Sequence, residues 1–154
     1  MSVRFKQRRT GGFTLVELMV TIVVASILIS IAVPAYQAQV RKSRRTEARM
    51  AVMDLATREE RYYSVNNDYS NSALQLGYGT VDTQIKDQTV GNGYYQVTVE
   101  NTLAAPLAAP PKRAAFTITA KASGSQLKDA PCQQFVVDQS GTQTSTPSAS
   151  DCWN

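Results

Sequence analysis

The sequence predicts an α+β fold, with one long N-terminal helix packed on an antiparallel sheet of three to four strands. Three observations predict it. Residues 13–33 form a nearly unbroken apolar run, helical spacing then continues without a loop to about Asn66, and from residue 94 the apolar positions alternate instead.

The run "FTLVELMVTIVVASILISIAV" (13–33) holds Glu17 as its only charge and contains neither glycine nor proline. As a helix it would span about 32 Å, matching a hydrocarbon core of about 30 Å. The alternative is a cleaved secretory signal. The stretch is too long for one, and no small-x-small cleavage pattern followed by a turn lies where it should. Arg4, Lys6, Arg8 and Arg9 precede the span, and Arg41, Lys42, Arg44 and Arg45 follow it. The N-terminal set lies nearer and favours an N-in orientation.

After Pro34, "AYQAQVRKSRRTEARMAVMDLATREERYY" has no glycine and no further proline. Ala48, Ala51, Val52, Leu55, Glu59 and Tyr62 recur at spacings of three and four, the stripe of an amphipathic helix continuing from the span. Pro34 is then the one point of kinking or local melting inside the helix. The turn-forming stretch "SVNNDYSNS" ends it.

"YYQVTVE" (94–100), "AAFTITAKA" (114–122) and "QQFVVDQ" (133–139) read as strands, and "DQSGTQTST" as a turn into a short fourth. "NTLAAPLAAPPKR" is too rich in proline for a strand and is expected to be an exposed excursion. Two cysteines, Cys132 and Cys152, come late. In a cytosolic protein they would be free core thiols; behind an export signal they would be joined, for a gain of roughly 3 kcal/mol.

Charge and composition narrow the function classes. The net charge is +4, and four of the sixteen basic residues precede the glycine pair, so the rest of the chain is neutral. The body from residue 54 onward is mildly acidic, which counts against nucleic acid as a partner. The absence of histidine excludes most imidazole catalysis and zinc chemistry. Glu59 and Glu60, adjacent on a helix, diverge by about 100° and cannot form a catalytic dyad. "GYG" (77–79) and "GNG" (91–93) are turn signals, since no lysine-serine/threonine follows them as a phosphate cradle requires. The tyrosines at 62, 63, 69, 78, 94 and 95 are expected to pack rather than stack on bases. "RKSRR" is expected to be a solvated helix face rather than a headgroup or nucleic-acid patch. No calcium-loop pattern is present.

The basic leader, "GG/FTLVEL", the apolar helix with Pro34 in "IAVPAYQ", the basic "RKSRRTEA", a sheet and two late cysteines together resemble a type IVa prepilin. "REERYYSVNNDYSNSALQLGY" and the ending resemble most a PilE-type minor pilin. The resemblance implies a leader (1–12) cut between Gly12 and Phe13 by prepilin peptidase, with N-methylation of Phe13. It implies a membrane and assembly helix (13–34), an amphipathic helix (35–66), and a sheet with a disulfide-bounded end (67–154), the bond joining Cys132 to Cys152. A lone carboxylate in a membrane helix costs roughly 2.5–3.5 kcal/mol near the centre and less near an end. By resemblance, Glu17 meets the Phe13 amine of its own or a neighbouring subunit, and Glu17 and Pro34 serve assembly.

The implied function is a structural, non-enzymatic minor subunit of a type IV pilus, supporting assembly, twitching motility and adhesion. No cofactor or metal is expected. The implied partners are other pilins, major and minor, through helix packing, with the peptidase, the inner-membrane assembly platform, and membrane lipid before assembly. The body would be periplasmic before assembly and part of the extracellular pilus after it. The alternatives are a DNA-receptor pilin for natural transformation and a pseudopilin of a type II secretion system.

Overall fold

The computed structural model describes residues 12–103, 113–147 and 150–153. The leader through Gly11 and the proline-rich connection at 104–112 lie outside them. The chain divides into two compact units between Gln37 and Ala38.

One helix, α1, runs Leu15–Asn66, with Pro34 inside it. Pro34 has no N–H to offer the preceding turn, yet helical structure continues on both sides of it. In the second unit the helix buries one stripe, Ala48, Ala51, Val52, Leu55 and Glu59, with Tyr62 half-buried beside it. These are the positions that the three-and-four spacing predicts. Asn67 ends the helix in the left-handed region at φ 50°, and its N–H donates to the Tyr63 carbonyl at 2.7 Å.

Among the described residues, five antiparallel strands follow in simple sequential order: β1 Gln88–Val90, β2 Tyr95–Leu103, β3 Arg113–Ala122, β4 Gln134–Asp138 and β5 Gln143–Thr146. The sequence predicts three or four strands because β1 is three residues long, too short to show alternation. Register is set by the buried face. Val97 pairs with Ala120 and Val99 with Ile118, while Ala120 pairs with Phe135 and Ile118 with Val137. All six are buried, as period-two alternation requires when a sheet has one covered face.

The core joins that face to the α1 stripe, and the segment between α1 and β1 supplies Tyr69, Ala73, Leu76 and Ile85. The segment is tied down by backbone bonds, Ala73 N–H to the Thr83 carbonyl and Ile85 N–H to that of Asn71, both at 2.8 Å. Aromatic contacts fill the interior. Phe135 meets Tyr95 at 5.8 Å and Trp153 at 5.4 Å, both edge-on. Cys132 and Cys152 are joined in a disulfide with Cα atoms 5.6 Å apart.

Candidate functional site

The N-terminal half of α1 is the first candidate. Phe13, Leu15, Val16 and the apolar side chains through Val33 are all exposed, Phe13 to 83%. The polar side chains within the stretch turn back on their own helix. Thr21 donates to the Leu18 carbonyl at 2.8 Å, Ser26 to that of Ile22 at 2.8 Å, and Ser30 to that of Ile27 at 2.7 Å. Each hydroxyl proton is thereby satisfied without water, leaving a surface that hydrocarbon or another helix can cover.

Glu17 is the exception. It lies in the first turn of α1, where its backbone N–H donates to Thr14 Oγ1 at 3.2 Å. Thr14 thus satisfies one of the free N–H groups at the helix start. A carboxylate in that turn is favoured by the helix dipole. Its own charge stays uncompensated: among the described residues, no cation pairs with it. Gly12 and Phe13 lie just before the helix, both exposed.

The second unit holds a set of polar clamps that bind α1 to the β3–β4 connection and the C-terminal tail. Arg45 donates two hydrogen bonds to Asp129, each 2.7 Å, in a largely buried fork. The Asp129 hydrogen bond holds the Arg45 guanidinium protonated above its already high ordinary range. The two amide protons of Gln126, fully buried, are shared among Asp129 at 3.0 Å, the Tyr95 hydroxyl at 3.1 Å and the Arg41 carbonyl at 3.1 Å. Burial pushes the Tyr95 hydroxyl up to about 12.

Arg44 lies over the Tyr94 ring, 3.5 Å from its centroid, and donates to Ser125 at 3.1 Å. Arg49 donates to the Trp153 carbonyl at 2.8 Å, and the Trp153 indole donates to that of Thr144 at 3.0 Å. These contacts correct the expectation of a solvated face at Arg44 and Arg45, while Lys42 in the same run is exposed as expected. Arg44, Arg45 and Arg49 fasten the body, and their partners lie 81, 84 and 104 residues away in sequence. A single sequence carries no signal of such pairing.

Glu59 is fully buried and, among the described residues, faces no ion-pair partner. It accepts from the Ser70 N–H at 3.0 Å and from the Asn101 amide at 3.4 Å. Burial pushes its carboxyl up to about 7, against the lowering pull of those two hydrogen bonds and of Arg113. Glu60, the next residue, is exposed and accepts from the Tyr69 hydroxyl at 3.2 Å, so the two carboxylates do point apart. Among the described residues, no group of histidine, cysteine, aspartate and glutamate side chains is placed to hold a metal.

The described residues thus combine an exposed apolar helix start with a disulfide-closed body packed on the second half of the same helix. A family described as "Type IV minor pilin ComP, DNA uptake sequence receptor" matches residues 34–136, more than half of the chain, and one described as "Prokaryotic N-terminal methylation motif" matches residues 7–33. The chain belongs to the type IV minor pilin ComP family.

The chain is similar, at 33% identity over 70 residues, to the type IV major pilin protein PilA of Myxococcus xanthus (strain DK1622), over 46% of this chain and 32% of that one. It is similar, at 33% identity over 84 residues, to the type IV major alpha-pilin of Moraxella bovis, over 51% of this chain and 53% of that one. It therefore spans about a third and about half of these curated relatives. A type IV pilin structure from Shewanella oneidensis is similar at 23% identity with a TM-score of 0.46, covering 74% of this chain and 98% of that one. The chain is a type IV pilin with an N-terminal methylation motif.

Proposed function

We propose that the chain is a minor subunit of a type IV pilus, held in the inner membrane by residues 13–34 and polymerised through that same segment. Prepilin peptidase removes the leader before Phe13 and methylates the new amine, and the inner-membrane assembly platform feeds the subunit into the filament. The supporting observation is the uncompensated Glu17 in an otherwise apolar, exposed helix start. In a low-dielectric filament core a carboxylate needs a counter-charge, and the Phe13 amine of its own or a neighbouring subunit supplies one. Pro34 lets the helix adjust locally, since it deletes one backbone bond there. Twitching motility and adhesion follow from the filament as a whole.

Mass spectrometry of sheared filaments tests this reading. The expected N-terminal peptide starts with methyl-phenylalanine at Phe13; an intact Met1 in assembled material overturns the processing step.

The family description gives a second reading, a receptor for DNA. The folded unit from Ala38 onward carries twelve basic and eleven acidic side chains, a near-neutral balance that offers little net phosphate neutralisation. Titrating duplex DNA at rising salt separates the two: retention with a steep salt slope supports the receptor, and no retention at low salt removes it.

A further inference from the structure

We propose that Asn92 is a site of slow non-enzymatic deamidation, and that Glu47 is the residue that restrains it. Asn92 is exposed in the turn between β1 and β2 and is followed by Gly93, which has no side chain to shield its backbone nitrogen. The chemistry needs only water. The Gly93 nitrogen attacks Cγ of Asn92 and gives up its proton, the bond between Cγ and the amide nitrogen Nδ2 breaks, and ammonia leaves. The resulting succinimide is then opened by water at either carbonyl, to aspartate or isoaspartate, with no change of oxidation state.

Two contacts oppose the attack in the folded protein. The Gly93 N–H donates to the Val90 carbonyl at 2.9 Å, which keeps the nucleophile in the turn. The Asn92 amide donates to Glu47 Oε1 at 2.8 Å, which holds the electrophile on the surface of α1. Glu47 is packed closely on the turn: a Cβ added at Gly91 would fall 2.9 Å from Glu47 Oε2, and that oxygen is buried with no hydrogen-bond partner among the described residues. The turn backbone is specialised too, with Gly91 at φ 50° and Gly93 at φ 84°.

The product is unlike the reactant at this point. A carboxylate replaces the amide donor and faces Glu47 across the former 2.8 Å contact, so two acceptors meet with no proton between them. Isoaspartate also lengthens the backbone of a turn that sets the Val90↔Tyr95 register. The reaction therefore adds one negative charge and loosens β1, the short edge strand.

The test uses the full-length protein in detergent. Proteolytic digestion and mass spectrometry follow the small mass gain at Asn92 as NH2 becomes OH, and isoaspartyl methyltransferase labelling reports the rearranged product. The folded wild-type protein should react more slowly than the same protein in denaturant. Glu47→Ala should raise the folded rate by about three- to tenfold, the scale of a lost charge-assisted contact at an exposed site. Glu47→Gln, which keeps an acceptor oxygen without the charge, should fall between wild type and Glu47→Ala.

A folded Glu47→Ala variant that reacts at the wild-type rate overturns the restraint. Equal rates for folded and denatured wild type do the same. Should Glu47→Ala fail to fold, Asn92→Asp replaces it: this variant should melt below wild type, and adding Glu47→Gln should recover much of the loss. Equal melting of all three proteins overturns the proposed clash.

Discussion

The two halves of α1 face the same problem and solve it differently. Between Phe13 and Val33 the large apolar side chains are exposed all round, and every hydroxyl from Thr21 to Ser30 bonds to its own helix. Between Ala48 and Glu59 only one stripe is buried, and Arg44, Arg45 and Arg49 beside it bond to the β3–β4 connection and the C-terminal tail. The second half obtains its burial within the subunit. The first half obtains none from the described residues, and on the proposed reading its burial comes from lipid or from other subunits. A helix that is apolar all round marks a surface meant for another medium, whereas one stripe marks a fold core.

The largest expected contrast comes from matched truncations. Phe135→Ala removes a fully buried ring that touches Tyr95 and Trp153, and should cost about 3–5 kcal/mol of body stability. Ile22→Ala removes an exposed side chain and should leave the melting of the body unchanged. Calorimetry on both variants in detergent checks this, and similar losses would break the contrast.

The disulfide should come next. Cys152→Ser opens a closure of sequence separation 20, and should destabilise the body by about 3 kcal/mol on the chain-entropy account. Denaturant titration of wild type with and without reductant, beside the variant, measures it. Because Arg49 and the indole of Trp153 still hold the tail, loss of the bond should lower stability without abolishing the fold.

A smaller effect is expected from Glu59 and depends on pH. Its carboxyl, ordinarily near 4.5, is pushed to about 7 in the folded state. Between those values the folded state keeps a proton that the unfolded state has released, so stability falls as pH rises from 4.5 to 7 and this contribution is flat outside that window. The groups around it are Glu60 on α1, Asp68 and Tyr69 in the following segment, and Arg113 on β3. Glu59→Gln should remove this slope while keeping the Ser70 bond. Thermal midpoints across the window that decline equally in both proteins would show that another group titrates.

Much of this organisation is legible in the sequence because it rests on local periodicity. The apolar run ends near Pro34, the stripe Ala48 to Glu59 follows helical spacing, and β2 to β4 alternate clearly, so patterning along one sequence finds them. What escapes is non-local. Nothing in "RKSRR" says that Arg45 meets Asp129 or that Arg44 covers Tyr94, because those pairings exist only after the sheet is folded. β1 escapes for a different reason: three residues paired with β2 cannot establish a period. Glu17 lies between these cases. Its oddness is plain from sequence alone, while its proposed counter-charge, the Phe13 amine, exists only once the chain is cut before Phe13.

Replacing Glu17 therefore tests the central claim most directly. Glu17→Ala removes a carboxylate that burdens insertion, and it leaves the stretch around Gly12 and Phe13 intact, so membrane insertion and cleavage should both persist. Expressed beside the wild-type partner pilins, the variant should appear by immunoblot as processed protein in the membrane fraction and be missing from sheared filaments. Recovery of the variant in filaments at the wild-type level would contradict the account, because the Phe13 amine would then need no counter-charge from Glu17.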